Sequence, residues 1–398
     1  MIVNSITLQN FRNHEDSKVD FAPGINLITG RNGMGKTNLI DAIHYLCMSR
    51  SFATASDMYV VKQGSSGFFI EARLSGSIRA SFRVTCTYTR GDGKKFLVND
   101  SPLERLSDLI GLVPVVVLSP DDKRLTNEGP AERRSFLDAM ISQVYRSYLT
   151  DLLEYRRIIR QRNRLLSMRG IRPDMLQIQL EPWNQQLAKA GAKIIARRRT
   201  VLARFSEFLE ESYARISGIG LKPSFRYKTI ANLPEEASED EIADIFAGLI
   251  DENLEKETER QMTLSGPHRD DLILYLDEME LRKFGSQGQH RLFALALKMA
   301  QLAYFSDVLD DLPVFLLDDV FGDLDPAKVS ILADMLNAHK GQAFITAANQ
   351  APFEGLIPFD TAQNRHFTVT EGPLIHISQP QPESDASDDD DDVHLPDE

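Results

Sequence analysis

Gly30-Arg31-Asn32-Gly33-Met34-Gly35-Lys36-Thr37 is the stretch on which the reading of this chain turns. It follows a short apolar run, Ile25 to Thr29, and opens an amphipathic segment from Lys36 to about Met48, which predicts strand, loop and helix in that order. The glycines let backbone N–H groups turn inward around phosphate oxygens, and the helix adds the positive end of its dipole. Lys36 then neutralises charge on the β- and γ-phosphates, and the Thr37 hydroxyl offers a ligand to Mg²⁺. No Asn-Lys-x-Asp motif for reading guanine occurs anywhere in the chain, which favours ATP over GTP.

A partner for this loop lies some 280 residues further on, at Val314-Phe315-Leu316-Leu317-Asp318-Asp319. An apolar strand ending in a carboxylate is the usual metal-holding companion of such a loop. Asp318 is predicted to hold the metal and Asp319 to orient or deprotonate the attacking water. A third element, Phe284-Gly285-Ser286-Gln287-Gly288-Gln289, opens a helix. Taken alone, Ser286 to Gln289 read as an N-cap after a glycine turn. Beside a phosphate-binding loop they also read as a second anion site, one that closes a composite site across a dimer.

The 398 residues suffice for two or three domain-sized units. Charged residues interrupt every apolar run well short of ~20 residues, so no membrane span and no membrane partner is expected. The start, MIVNSITLQNF, has no basic-then-apolar signal pattern, and two cysteines make no disulfide framework, so a cytoplasmic location is expected. Glu383 to Glu398 hold nine acidic residues and no Lys or Arg; removing them from a net charge of −13 leaves −4 for the body. That tail is read as disordered, in contact with basic helices or mimicking DNA. Arg146 to Arg204 instead hold fourteen Lys or Arg against Asp151, Glu154, Asp174 and Glu181. With few acidic residues at i,i+4 spacing, this stretch reads as a DNA-binding face or, more blandly, as a solvated helix surface. Arg156, Arg160, Arg164, Arg197 and Arg198 are its candidate DNA contacts.

Periodicity gives strands at Ile2 to Phe11, Lys18 to Phe21, Phe68 to Leu74, Ser81 to Thr89, Lys95 to Val98 and Val113 to Leu118. From about Ala131 to Glu259 the period is helical, with breaks expected at Gly170 to Pro173 and before Pro182. Strands return at Asp271 to Leu276, Val314 to Leu317 and Ala343 to Thr346, with a last hairpin from His366 to Ile377 and a helix from Gln287 to about Phe305. His268 reads equally as a structural hydrogen-bonder or a nucleotide contact, and Trp183 as a core anchor.

The order of phosphate loop, long insertion, Ser-Gln-Gly-Gln, Leu-Leu-Asp-Asp and Gly322-Asp323-Leu324-Asp325 resembles the SMC-like branch of the ABC-type ATPases. Leu8 to Asn13, Arg50-Ser51-Phe52, Ser119 to Asp122, Gly129-Pro130, Arg133 to Asp138 and Leu264 to Asp271 are similar to the RecF family within it, over about residues 1 to 375. The insertion is short for SMC proteins and sustains no heptads. The resemblance implies an α/β fold, an ABC-type ATPase head with a mixed sheet and two lobes, a helical insertion and an acidic tail. Its boundaries would be 1–125 (N-terminal lobe), 126–261 (helical arm), 262–378 (C-terminal half) and 379–398 (tail). It also implies that two subunits sandwich two ATPs, each between one subunit's Gly30 to Thr37 and the other's Ser286 to Gln289, and that this homodimer clamps DNA. Family members act at gapped or stalled-fork DNA with RecO and RecR to place RecA, and hydrolyse ATP slowly under DNA stimulation. Arg12 and Asn13 correspond to family residues beside the nucleotide. The alternative is an ABC-type ATPase subunit working on a membrane or SMC-like partner, but no switch histidine follows Thr346, where Ala347-Ala348-Asn349 stand. Asp319 also replaces the glutamate of many relatives, whose longer arm holds water better.

Overall fold

The computed structural model describes residues 1–168, 170, 172–218, 220–359 and 361–369. Alternating buried and exposed side chains make Ile2–Phe11 (β1) and His14–Asp20 (β2) a hairpin. Arg12 takes φ +57°, so the turn is tight enough to pair Phe11 with His14, four residues earlier than the expected start at Lys18. Ile25–Thr29 (β3) has all five side chains buried, as befits a strand inside a parallel sheet. Lys36–Met48 (α1) follows. Gly67–Ser75 (β4), Phe82–Thr89 (β5), Gly93–Val98 (β6) and Ser101–Pro102 (β7) extend the first hairpin into a six-stranded antiparallel sheet, ordered β2-β1-β4-β5-β6-β7.

After Val115–Leu118 (β8) the chain turns helical, through Arg124–Asn127 (α2), Pro130–Val144 (α3), Arg146–Leu166 (α4) and Pro173–Ser217 (α5). The break expected at Pro182 does not occur: α5 is continuous over 45 residues with that proline inside it. Pro182 is exposed, and Ile178, whose carbonyl it deprives of a donor, is 65% exposed, so the break in the hydrogen-bond ladder lies on the solvent face of the helix. Pro223–Lys228 (β9), Glu239–Arg260 (α6), Asp271–Leu276 (β10) and Met279–Glu280 (β11) come next, and β11-β10-β9 form a small antiparallel sheet. Leu281–Phe284 (α7), Gln287–Val308 (α8), Val314–Asp318 (β12), Pro326–Ala338 (α9), Ala343–Ala347 (β13) and Arg365–Thr368 (β14) complete the described chain. Only the first strand of the expected last hairpin, and none of the acidic tail, lies within the described residues.

The sheet that matters for function is the parallel one, ordered β14-β3-β13-β12-β8. It interleaves strands from the two ends of the sequence. The register pairs Thr29 with Ala347 and Asp318 with Thr346, so the carboxyl ends of β3, β12 and β13 share one edge. Crevices at such edges are where open parallel sheets bind ligands. On one face α1 is sandwiched against the antiparallel sheet, with Ile40, Ile43 and Tyr45 packed among Phe68, Val84, Leu316 and Phe344. On the other face Leu27, Phe315 and Leu317 continue into an apolar cluster built from α3, α4, α5, α6 and α8.

One buried polar network ties the helices to β10. Arg198, expected on a DNA-binding surface, is only 1% exposed. Its guanidinium reaches Asp138 Oδ1 at 2.7 Å, Asp270 Oδ2 at 2.6 Å and the Pro267 carbonyl at 2.8 Å, while Tyr148 also donates to Asp138 at 2.6 Å. Arg162, in the same basic stretch, is fully buried against Glu257, Asn184 and Thr263. The physical reason is that their counter-charges come from far along the sequence, where i,i+4 counting does not look. His268 is structural, held between Tyr155 Oη at 2.8 Å and the Thr263 carbonyl at 3.2 Å. Trp183 is half-buried at the edge of the core, with Arg157 over its ring.

Arg198→Met strands two buried carboxylates and should lower unfolding free energy by about 3–5 kcal/mol, whereas Arg160→Met, at an exposed position, should change it by less than about 0.5 kcal/mol. Urea midpoints of the two variants check this. Burial lowers His14 and His268 to about 4 and His44 to about 3, below the unfolded value of 6.5. The unfolded chain therefore binds protons that the folded chain refuses, so this stability is complete above pH 6.5 and is lost as pH falls toward 4. The unfolding free energy should fall by roughly 2 kcal/mol per histidine between pH 7 and pH 5, lowering the melting temperature, and His44→Gln should flatten the drop.

Candidate functional site

The buried strand β3 delivers the loop from Gly30 to Gly35 to the shared edge, and α1 begins at its end. Gly35 has φ +101°, and a Cβ there would lie 2.4 Å from Asn13 Nδ2, so no other residue fits. Gly33 has φ +86° and faces open space on its other side. The loop is braced from the β1–β2 turn. Asn13 Nδ2 donates to the Met34 carbonyl at 3.0 Å, and Asn38 Nδ2 donates to Asn13 Oδ1 at 2.7 Å. His14 Nε2 donates to the Gly35 carbonyl at 3.4 Å, which leaves Nδ1 to accept from the Ser17 hydroxyl at 3.2 Å.

Lys36 is folded back on the loop. Its Nζ donates to the carbonyls of Gly30 at 2.6 Å and Arg31 at 3.1 Å, and to Asn32 Oδ1 at 3.4 Å. Burial lowers its pKa, against the pull of Asp319 and Asp318. The Thr37 hydroxyl donates to Asp318 Oδ1 at 2.7 Å, joining residues 281 apart in sequence. The Thr346 hydroxyl donates to the same oxygen at 2.8 Å. Burial raises the pKa of Asp318; these two hydrogen bonds oppose the rise and neighbouring Asp319 adds to it. Asp319 sits at φ +49°, a left-handed conformation that costs a non-glycine residue, and its N–H is pinned to Thr346 Oγ1 at 3.0 Å. That strained step turns its carboxylate out of the sheet edge, where it is exposed.

The first two candidate elements therefore meet. Arg12 does not face the loop directly: its Nη2 lies 3.3 Å from Asp41 Oδ2 and 3.4 Å from Ser51 Oγ, and its Nη1 donates to the Tyr59 carbonyl at 3.3 Å. Asp41, buried in α1, also accepts from Ser51 Oγ at 2.7 Å and the Phe52 N–H at 2.9 Å, which ties the Arg50-Ser51-Phe52 segment to the same helix. Sequence reading missed His14, Asp41 and Thr346. A charge amid the apolar run of α1 was the one available signal for Asp41; the others are visible only through pairing across the fold.

Ser286 to Gln289 lie at the start of α8. Ser286 caps that helix: its hydroxyl accepts the Gln289 N–H at 3.2 Å, and Gln289 Oε1 accepts the Ser286 N–H at 2.8 Å. Gln287 and Gly288 are exposed. Of the candidate DNA contacts, Arg160 and Arg164 are exposed one turn apart on α4, Arg156 is exposed but paired with Asp138 at 3.1 Å, and Arg197 is half-buried over the Tyr145 ring at 4.6 Å. Arg198 belongs to the interior.

The edge so built has a glycine loop, a lysine, a hydroxyl and two carboxylates, oxygen ligands suited to a hard divalent cation beside a polyphosphate. Among the described residues no helix is long and apolar enough to cross a membrane. The sequence profile of the RecF/RecN/SMC N terminal domain matches residues 2–364. A DNA replication and repair protein RecF of Salinibacter ruber is 41% identical over 388 residues, 96% of this chain and 93% of its own length. The protein of that name from Chloroherpeton thalassium is 41% identical over 87% of this chain and 95% of its own. A solved structure of the recombination mediator protein RecF-ATPrS in the RecFOR pathway superposes with a TM-score of 0.83 at 29% identity, over 94% of this chain and 97% of that one. An Smc head bound to the C-winged helix domain of ScpA, 15% identical with a TM-score of 0.55 over 94% of this chain and 95% of its own, shares the fold. The interleaved parallel sheet, the profile match and relatives at 41% identity over nearly full length agree: the chain belongs to the RecF family of SMC-like ATPases.

Proposed function

We propose that this chain is an ATP-driven DNA clamp of replication and repair. Two copies would close on two ATPs, hold DNA while the nucleotide is intact, and part when it is slowly hydrolysed under DNA stimulation. The observation that carries the reading is the bond from Thr37 to Asp318, because it brings phosphate loop and acidic strand end to one point across 281 residues. A solved relative described as RecF-ATP in the RecFOR pathway, 30% identical over 92% of this chain, supports the nucleotide.

The donor set fits Mg²⁺. Thr37 and Asp318 offer two hard oxygens side by side, leaving the remaining positions to phosphate and water. Bound ATP would supply the phosphoanhydride that is cleaved. Lys36 would exchange the carbonyls of Gly30 and Arg31 for β- and γ-phosphate oxygens, while Arg31, Asn32, Gly33, Met34 and Gly35 present N–H groups. Asp319 would hold the attacking water; its arm is one methylene shorter than glutamate's, which suits slow turnover. Asn13 would keep the loop open by bracing Met34, and Arg12 would act beside it from its tie to Asp41.

The exposed end of α8 would complete the site on the second copy, its helix dipole and the N–H groups of Ser286 to Gln289 directed at the γ-phosphate. In this reading residues 1–125 and 262–378 form the ATPase head and 126–261 the arm. Arg160 and Arg164, with Arg156 and Arg197 beside them, would follow a DNA backbone. By family analogy the cytoplasmic complex would act at gaps or stalled forks with RecO and RecR to help place RecA.

Sedimentation with Mg·ATP and duplex DNA tests the clamp. Wild type should dimerise; Lys36→Ala should neither bind ATP nor dimerise; Ser286→Arg should bind ATP but stay single. Normal dimerisation by Ser286→Arg would refute the shared site. Removing Arg160 and Arg164 together should reduce the slope of log affinity against log salt by about 2. An unchanged slope would clear that face of DNA contact.

A further inference from the structure

Large apolar side chains stand uncovered at both halves of the composite site. Phe284, two residues before Ser286, is 71% exposed, and Tyr59 and Met58, beside the β1–β2 turn whose Asn13 braces the phosphate loop, are 66% and 48% exposed. Neither group dangles. Leu281 at the start of α7 is fully buried, the Gly285 N–H donates to the Leu281 carbonyl at 2.8 Å, and a Cβ on Gly285 would come within 2.6 Å of that carbonyl. With the Ser286 cap on its other side, Phe284 is presented by a fixed turn. Met58 and Tyr59 precede a segment that runs along the β1–β2 turn: Arg12 N–H donates to the Val60 carbonyl at 2.6 Å and Lys62 N–H to the Asn10 carbonyl at 2.8 Å.

The surrounding charges are opposite. Arg282 and Lys283 are exposed beside Phe284, Lys283 pairing with Glu280 at 2.8 Å, whereas Glu15 and Asp16 are exposed at the start of β2, Glu15 pairing with Lys62. A rigid exposed aromatic ringed by charge is the usual form of an interface anchor. A two-fold axis that sets the start of α8 in one copy against the phosphate loop of another makes every contact of that interface twice.

We propose that Phe284 is the apolar anchor of this self-association, seated against Met58 and Tyr59 of a second copy, with Arg282 facing Asp16. The occupant is a second copy because the patch is continuous with the phosphate-facing end of α8 and its charges complement those across the site. The inference rests on the composite-site reading above.

The test is sedimentation of the full chain with Mg·ATP. Phe284→Ala should bind nucleotide as wild type does, yet need about 100-fold more protein or higher to dimerise, since each dimer loses two buried rings. In a mixture of Phe284→Cys chains with Tyr59→Cys chains, a bismaleimide should join the two only when ATP is present. Cys47 and Cys86 are buried and stay silent. If wild type dimerises and Phe284→Ala does so equally well, or the cross-link fails in the dimer, the anchor falls while the composite site stands. If wild type remains single with Mg·ATP and duplex, the composite site falls and the anchor with it.

Discussion

Parallel pairing of β3 with β13 is the constraint on which this molecule depends. It forces residues from both ends of the sequence into one sheet and sets Thr37, Asp318 and Thr346 at one corner. Everything between β8 and β12 must leave the sheet and return to it, and the helices do so as one packed body on a single face. Their apolar cluster runs without interruption into Leu27, Phe315 and Leu317. The site therefore inherits its rigidity from the sheet and its connection to the helices from the core.

That corner is costly to fold. Burial raises the pKa of Asp318, and Asp319 holds a backbone conformation that side chains disfavour. Both departures fall at the sheet edge that carries the phosphate loop, which is the usual distribution of strain between scaffold and site. The bracing residues are less conspicuous. Asn13 and His14 brace the loop from the β1–β2 hairpin, while Asp41 on α1 ties down Arg12 and the Ser51-Phe52 segment.

Much of this was legible in the sequence, for a physical reason. The phosphate loop, the acidic strand end and the cap of α8 are local patterns whose chemistry lies in consecutive residues, and the apolar alternation of β10 marked Asp271 and Leu276 as its ends. What escaped reading depends on partners far along the chain. Arg198 finds Asp138 and Asp270 at separations of 60 and 72 residues, and Arg162 finds Glu257 across two helices. Local charge counting made these arginines surface candidates, and packing made them core. Pro182 misled in the opposite sense, because a proline on a solvent face removes one hydrogen bond without meeting the packed side of its helix.

The uninterrupted helix α5 has a mechanical consequence. Near its end, Phe205, Phe208 and Tyr213 pack against Tyr304 and Phe293 of α8. Near its beginning, Leu176 and Leu180 lock into a separate small cluster with Leu166 and Leu254. At 1.5 Å per residue these two attachments are about 40 Å apart. A rocking of α8 by about 5°, transmitted through a stiff rod of that length, displaces the distant attachment by roughly 3–4 Å. One end of this rod is thus fastened to α8 and the other ends beside the exposed arginines of α4.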